Sequence, residues 1–201
     1  METLLFGHES RSIIACALAS WSPKIGDPTV MGWLTVVAYL LCALIAGRVL
    51  TAVTFPAQTA RREQLFWGAL MFLMLALAIN KQLDLQSFLT AIGRCDAKAQ
   101  GWYGERRLIQ REFIFVLLGL ILLSGAVLFH VMRRTLPRTG LPLLGLVLVA
   151  GFVLVRAVSF HHVDDLINTR ALGIRMNWVL ELSGLVLIFW GAWRLLRKES
   201  G

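Results

Sequence analysis

Five long apolar runs dominate this chain of 201 residues, and they limit what it can fold into. A helix needs about 20 predominantly apolar residues to cross a bilayer. The runs are rich in Leu, Ala, Val and Phe with glycines interspersed, as membrane-spanning helices commonly are. They occupy residues 31–55, 64–83, 113–132, 141–160 and 177–196. The pattern predicts an all-α polytopic membrane protein, a bundle of about five transmembrane helices.

The composition excludes most other classes of protein. Hydrophobic residues make up 57% of the chain, charged residues only 16%, and the mean hydropathy is +0.69. That leaves too little polar surface for a water-soluble domain, a disordered chain or a disulfide-stapled secreted scaffold. The formal net charge is +8, but Lys and Arg flank the spans of membrane proteins, so no nucleic-acid partner is expected.

Residues 1–30 are predicted to form an N-terminal interfacial segment, and residues 31–201 the transmembrane helical domain. The apolar stretch at residues 12–19 is too short to span a membrane. The residues before it lack the basic character of a signal peptide, which favours a retained segment over a cleaved one.

A further helix is predicted to lie in the interface between the second and third spans. There, apolar residues recur at helical spacing, as expected of a helix lying flat on the membrane. These residues are Leu85, Phe88, Leu89 and Ile92. The three cysteines show no metal-ligand spacing. A pairing of Cys16 with Cys95 on an oxidising outer side is one alternative, and the odd cysteine count favours free thiols.

The charge distribution predicts the orientation in a bacterial inner (plasma) membrane. An odd number of spans places the two termini on opposite sides. Lys and Arg are densest in the short connections after the first and third runs and in the C-terminal tail, so that side is predicted to be cytoplasmic. The N-terminus is then outside, and ten of the twelve acidic residues fall on the outer side.

The end of the second run carries the first cluster of polar residues. On a continuing helix, Asn80, Asp84 and Ser87 share one face, and Lys81 lies beside Asp84. This density predicts a site in which Asn80, Lys81 and Gln82 bind substrate and Asp84 is catalytic. The alternative is a polar interfacial cap with a Lys81–Asp84 pair.

The second cluster follows the fourth run. Arg156 and Ser159 are predicted substrate contacts, and His161, His162 and Asp165 are predicted catalytic residues. Imidazole and carboxylate groups either hold a metal or form a base oriented by an acid. Zinc or another divalent metal is therefore a candidate cofactor, with His161, His162 and Asp165 as ligands. A structural hydrogen-bond cluster is the alternative.

Glu181 lies inside the fifth apolar run, and an intramembrane carboxylate is a functional candidate by default. It is predicted to be catalytic, and the alternative is a buried ion pair with Arg156 or Lys81. Asn177, one turn before it, and Arg107, in the connection between the second and third runs, are predicted substrate contacts.

Several blocks of the sequence resemble those of a family of small uncharacterised bacterial multi-spanning membrane proteins. The blocks are INKQLDLQ (79–86), GWYGERR (101–107), RAVSFHHVDD (156–165) and NWVLEL (177–182). The resemblance covers most of the chain and implies no particular activity. A looser resemblance is to seven-span ceramidase-like membrane hydrolases, which place a Ser, an Asp and three His around zinc. The residues concerned here are Ser159, His161, His162, Asp165 and Asp84. This chain has about five spans and adjacent histidines, so no role is carried over.

Two classes of function follow from these observations. The first is a membrane enzyme acting on a lipid or amphipathic substrate at the outer face, with a catalytic centre of Asp84, His161, His162, Asp165 and Glu181. The second is a non-catalytic subunit or assembly partner, whose polar outer face docks another membrane protein. A transporter is less favoured, because five spans without inverted repeats fit that class poorly.

Overall fold

The computed structural model describes residues 12–22, 25–101, 106–158, 170–171 and 174–199. This part of the chain contains seven helices and one antiparallel hairpin of two-residue strands. In chain order the elements are α1 (residues 12–20), α2 (Val30–Ala52), α3 (Ala60–Leu83), α4 (Leu85–Ala99), α5 (Arg106–Met132), α6 (Leu136–Val158), β1 (Arg170–Ala171), β2 (Ile174–Arg175) and α7 (Met176–Glu199).

Within the described residues, four helices contain a stretch that is long and apolar enough to cross a membrane. They are α2, α3, residues Leu136–Leu154 of α6 and residues Trp178–Glu199 of α7. The prediction of an all-α membrane protein is confirmed at this level. Helix α5 has 27 residues and contains the third apolar run, and its apolar segment within the described residues is Leu122–Met132.

Local chemistry sets the ends of α2. Thr29 is the N-cap, and its hydroxyl accepts a hydrogen bond from the Gly32 N–H at 3.1 Å, satisfying one of the donors that a helix start leaves unpaired. The helix ends at Ala52, three residues before the end of the apolar run. Val53 already has extended backbone, and Pro56 has no N–H to continue the helix.

Helices α2 and α7 form the centre of the bundle. Helix α2 packs along α3 on one side and along α7 on the other, and α7 packs along α6. Helix α5 contacts the bundle mainly through α6. The largest fully buried side chains at the centre come from all four packed helices and include Tyr39, Trp67, Met74, Val149 and Ile188.

Glycines bring α6 and α7 into close contact. A Cβ atom on Gly145 would lie 2.5 Å from the carbonyl oxygen of Gly184, and one on Gly184 would lie 2.7 Å from Cγ2 of Val149. A Cβ atom on Gly191 would overlap the ring of Pro142. Small residues allow membrane helices to approach this closely and to gain van der Waals contact.

The outside of the bundle is covered by large apolar side chains. Leu44, Leu65 and Phe72 are 67%, 64% and 68% exposed. Soluble monomers rarely expose extended apolar surfaces, whereas hydrocarbon accommodates them. The exterior therefore fits contact with lipid, as the composition predicts.

Helix α1 packs against α4 beyond the end of α3. A disulfide joins Cys16 to Cys95, with 6.1 Å between their Cα atoms. The rings of Trp21 and Phe88 lie 4.9 Å apart, and Ala17 is fully buried. The pairing that the odd cysteine count disfavoured is thus present. The two cysteines are 79 residues apart in sequence, so only the packing of α1 on α4 reveals them as neighbours.

Candidate functional site

A carboxylate, an amine and a phenol meet inside the bundle where α2, α3 and α7 come together. Lys81 Nζ donates to Glu181 Oε2 at 2.7 Å, and the Tyr39 hydroxyl donates to Glu181 Oε1 at 3.0 Å. The side chains of Lys81 and Glu181 are only 6% and 2% exposed. Both carboxylate oxygens are therefore engaged. Of the two ion-pair partners that the sequence left open for Glu181, the structure has Lys81.

This arrangement meets the requirements of a buried ion pair. Charges taken out of water lose their hydration, which mutual attraction offsets only when the geometry is good and further hydrogen bonds are made. The short contact to Lys81 and the hydrogen bond from Tyr39 supply both. Removal of any one of these groups would leave a polar atom of the others without its partner.

A second charged cluster lies at the opposite end of α3. Glu63 is fully buried in the first turn of α3. Its Oε1 accepts a hydrogen bond from Thr59 Oγ1 at 2.8 Å, and its Oε2 lies 3.1 Å from Arg138 Nε. The N–H does not align with that oxygen, so the contact is an ion pair rather than a directed hydrogen bond. Arg138 also donates to the carbonyl of Thr54 at 3.1 Å and lies 3.6 Å from Glu199.

The spacing of the two clusters matches the thickness of a bilayer. Positions 63 and 81 are 18 residues apart in one helix, which is ~27 Å at a rise of ~1.5 Å per residue. The hydrocarbon core of a bilayer is about 30 Å thick. In a membrane, each cluster would thus lie near a boundary, where charged groups are less costly than at the centre.

A small pocket lies beside the Lys81–Glu181 pair, between α3 and α6. Its volume is about 20 Å³, which is room for about one water molecule. The lining combines polar and apolar side chains. The lining residues are Tyr39, Leu77, Asn80, Lys81, Asp84, Phe152, Val153 and Glu181.

Asp84 forms the turn between α3 and α4. Its backbone lies in the left-handed region (φ 49°, ψ 47°), which Asp tolerates better than most residues with a side chain. Its Oδ2 accepts a hydrogen bond from Ser87 Oγ at 2.6 Å. The continuous helical face predicted for Asn80, Asp84 and Ser87 is therefore wrong, because the chain changes direction at Asp84. Asn80 and Asp84 nevertheless both line the pocket.

Residues 25–29 lie across this turn. The Gly26 N–H donates to the carbonyl of Gln82 at 2.8 Å. A Cβ atom on Gly26 would lie 3.0 Å from Cβ of Asp84 and 3.1 Å from the carbonyl oxygen of Lys81, so a side chain at this position would press against the turn. Beneath it, the amide group of Gln82 is buried, and within the described residues neither Oε1 nor Nε2 finds a hydrogen-bond partner.

The structure thus brings four of the predicted site residues to one pocket. They are Asn80, Lys81, Asp84 and Glu181. Gln82 lies in the same last turn of α3, with its carbonyl bound by Gly26. Lys81 pairs with Glu181, and Asp84 accepts from Ser87. The substrate-binding and catalytic roles of these residues stay predictions.

The remaining predicted residues cannot be placed in this way. Four of them lie outside the described residues, namely Ser159, His161, His162 and Asp165. For three more, the side chain lies outside the described part of the structure, namely Arg107, Arg156 and Asn177. Among the side chains that are described, no three His, Cys, Asp or Glu residues gather as they would around a metal ion. The metal site at His161, His162 and Asp165 therefore stays a prediction.

Some members of the site were not apparent from the sequence. Tyr39, Phe152 and Val153 lie within apolar runs, where they read as ordinary core or lipid-facing residues. The signal for Tyr39 is its hydroxyl, because a buried Tyr usually requires a hydrogen-bond partner. The Glu63–Arg138 pair is also not evident from the sequence, since its members lie 75 positions apart at the ends of different helices.

Comparison with known proteins adds no relative, since the chain matches no protein-family model, no curated protein and no solved structure. Its function is therefore argued from the chemistry of the site.

Proposed function

We propose that the chain is a five-span protein of the bacterial inner membrane that acts on a lipid or another amphipathic substrate at the outer membrane face. The observation that carries the proposal is the mixed lining of the pocket between α3 and α6. Its apolar lining residues are Leu77, Phe152 and Val153. Its polar lining residues are Tyr39, Asn80, Lys81, Asp84 and Glu181.

An amphipathic molecule presents the same two kinds of surface. Its apolar part would lie along Leu77 and Val153, which are only half-buried, and its polar group would meet Asn80 and Lys81. The volume of about 20 Å³ admits one water-sized group. The group that enters is therefore a hydroxyl, an amine or a single ester or phosphoryl oxygen, and the rest of the molecule stays in the leaflet.

Helix α5 is the fifth span in this proposal. It contains the apolar run at residues 113–132 and contacts the bundle mainly through α6. A fifth span makes the number odd, so the two termini lie on opposite sides. Helix α4 then lies on the membrane surface as the interfacial helix, with α1 beside it.

The disulfide supports the orientation. Disulfides form and persist in oxidising compartments, so a Cys16–Cys95 bond favours an outer location for α1, α4 and the polar pocket. The N-terminus is then outside and the C-terminus cytoplasmic. The basic pairs at residues 61–62 and 133–134 fall on the cytoplasmic side, as the positive-inside rule requires.

The reactive groups in this proposal come from the connection between α6 and α7. His161, His162 and Asp165 belong to it, and the two helices that it joins contribute Val153 and Glu181 to the pocket. These residues would take up a proton as an imidazole–carboxylate pair, or would hold zinc or another divalent metal, whose chemistry would be to lower the pKa of a bound water molecule. Asp84 assists them, while Glu181 holds Lys81 in place.

The polar residues around this centre bind the substrate. Asn80 and Lys81 contact the group that enters the pocket. The other predicted substrate contacts are Gln82, Arg107, Arg156, Ser159 and Asn177. An arginine suits a phosphate or carboxylate headgroup, because its guanidinium group presents paired donors.

A bulky residue in the pocket tests the proposal. Val153→Phe enlarges one of the apolar lining residues of the pocket, and Val147→Phe is the matched control, because Val147 lies on the same helix and is 42% exposed. The protein is purified in a mild detergent, and its bound lipids are extracted and identified by mass spectrometry. We expect one lipid class to accompany the wild type and Val147→Phe at near-stoichiometric amounts, and to fall at least tenfold in Val153→Phe. Equal retention by both variants would contradict the proposal.

A non-catalytic membrane subunit is the second candidate, and one observation favours it. Both oxygens of Glu181 are already bound, so this carboxylate acts as a link between three spans rather than as a free base. The distinguishing measurement is turnover of the co-purified lipid by folded protein. If the chain is an enzyme, His162→Ala abolishes turnover without loss of folded protein. If it is a subunit, the wild type is already inert and a membrane-protein partner co-purifies with it.

A further inference from the structure

The N-terminal arm, defined here as residues 12–22 and 25–29, runs from α4 to the start of α2. At one end, the disulfide ties Cys16 to Cys95 and the ring of Trp21 packs on Phe88. At the other end, the arm joins α2, where Asp27 Oδ1 accepts a hydrogen bond from the Thr29 hydroxyl at 2.6 Å. The arm is thus held at both ends.

Between these ends, the arm covers the turn that carries two of the five polar lining residues of the pocket. Gly26 donates its N–H to the carbonyl of Gln82 and lies against Lys81 and Asp84, both of which line the pocket. The buried amide of Gln82 lies in the same turn. Displacement of the arm would uncover this turn from the outer side.

We propose that the Cys16–Cys95 disulfide is a redox-controlled latch that holds the N-terminal arm against the turn at residues 81–84 beside the polar pocket, and that its reduction releases the arm from this turn. The inference rests on the proposed outer orientation of the arm, where disulfide exchange with other proteins takes place. Besides the disulfide, the contacts of the arm include the ring contact of Trp21 with Phe88 and the backbone hydrogen bond of Gly26 to Gln82.

The reductant in this proposal is a protein dithiol of the outer compartment. Its thiolate attacks the sulfur of Cys16, which is the exposed partner, whereas Cys95 is 7% exposed. The S–S bond breaks, and Cys95 leaves as a thiolate that takes up a proton. The mixed disulfide joins Cys16 to the first sulfur of the reductant. The second thiol of the reductant then attacks that first sulfur, and Cys16 is released as a thiol. Two electrons and two protons pass to the two cysteines, and the reductant becomes a disulfide.

The test is amide hydrogen exchange on purified protein in nanodiscs, with and without dithiothreitol, followed by mass spectrometry. We expect reduction to accelerate exchange at the Gly26 amide and in the 80–87 segment at least tenfold. Exchange around Thr135 and Thr139, at the other end of the bundle, should stay unchanged. Cys42, the one cysteine outside the disulfide, is buried, so reduction acts on one bond.

Two variants make the result decisive. The double variant Cys16→Ser/Cys95→Ser should exchange rapidly at Gly26 with or without dithiothreitol. Gly26→Leu, whose side chain would collide with Asp84 and Lys81, should exchange rapidly even when oxidised. Unchanged exchange at Gly26 after complete reduction would contradict the latch. Uniform acceleration of exchange across α2 and α3 would also contradict it, because the disulfide would then stabilise the whole bundle rather than the arm. Failure of the orientation is seen separately, as labelling of reduced Cys16 from the cytoplasmic side by an impermeant maleimide.

Discussion

The Lys81–Glu181 pair allows a quantitative prediction about what holds the outer end of the bundle together. Lys81→Met removes the amine and leaves Glu181 with Tyr39 alone, and Glu181→Leu leaves the amine of Lys81 buried without its carboxylate. Breaking a buried ion pair by removing one partner costs about 3–5 kcal/mol, because the remaining charge is uncompensated. We expect each single variant to lower the free energy of unfolding by about 3 kcal/mol, near the lower end of that range because Lys81 lies in the last turn of α3.

The double variant Lys81→Met/Glu181→Leu should cost less than either single change. Both replacements are apolar and of similar size, and substitution of a whole buried ion pair by packed apolar residues is often neutral or stabilising by about 1–4 kcal/mol. One cost remains, since the hydroxyl of Tyr39 loses its acceptor, which is about 1–3 kcal/mol for a buried group. The three variants and the wild type together form a double-mutant cycle that isolates the interaction between the two side chains.

The assay is reversible unfolding in mixed micelles, followed by circular dichroism at increasing concentrations of denaturing detergent. Lys198→Met is the control for loss of a lysine, because Lys198 lies exposed in the last turn of α7. It should change the free energy of unfolding by less than about 0.5 kcal/mol. If the cost of the double variant equals the sum of the two single costs, the side chains do not interact, and the reasoning about the pair is refuted.

Three further changes have expected outcomes in the same unfolding assay. Gly184→Leu should destabilise the bundle by about 1–3 kcal/mol, because its side chain would collide with α6. The control Gly151→Leu, at a position with open space around it, should have little effect. Equal costs of the two variants would mean that close packing at Gly184 does not matter. Arg138→Met should cost about 3 kcal/mol because it leaves Glu63 buried without its cation, and a change below about 1 kcal/mol would show that Glu63 is compensated otherwise. Tyr39→Phe should cost about 1.5–3 kcal/mol, the range for a hydrogen bond to a charged group, and a neutral result would mean that its hydroxyl contributes nothing to holding Glu181.

The sequence predicts the helices well because their causes are local. Twenty apolar residues in a row fit a membrane span wherever they occur, and a carboxylate inside such a run is recognisable by its cost. Glu181 was identified for that reason. Its ion-pair partner cannot be chosen from the sequence, because Lys81 and Arg156 are both basic residues near the ends of other apolar runs. Only the packing of α3 on α2 and of α2 on α7 brings Lys81 to Glu181.

The features of the site that cannot be predicted from the sequence depend on changes in chain direction and on packing between distant segments. The left-handed backbone at Asp84 is allowed to Asp but not required by it, so a continuous helix through Ser87 was the natural expectation. The disulfide requires α1 to lie on α4, and no local pattern encodes that contact. Val153 lines a pocket only because α6 passes beside α3, whereas Val147, on the same helix, is exposed.

Photo-crosslinking to a lipid tests the central claim most directly. A phospholipid with a diazirine in its acyl chain near the headgroup is incorporated into membranes that contain the protein, and the adducts are mapped by mass spectrometry after irradiation. We predict saturable adducts at Leu77 and Val153, the half-buried apolar residues of the lining, that unlabelled lipid competes away. Adducts confined to outward-facing residues such as Leu44 and Phe72, with no saturation and no competition, would contradict it.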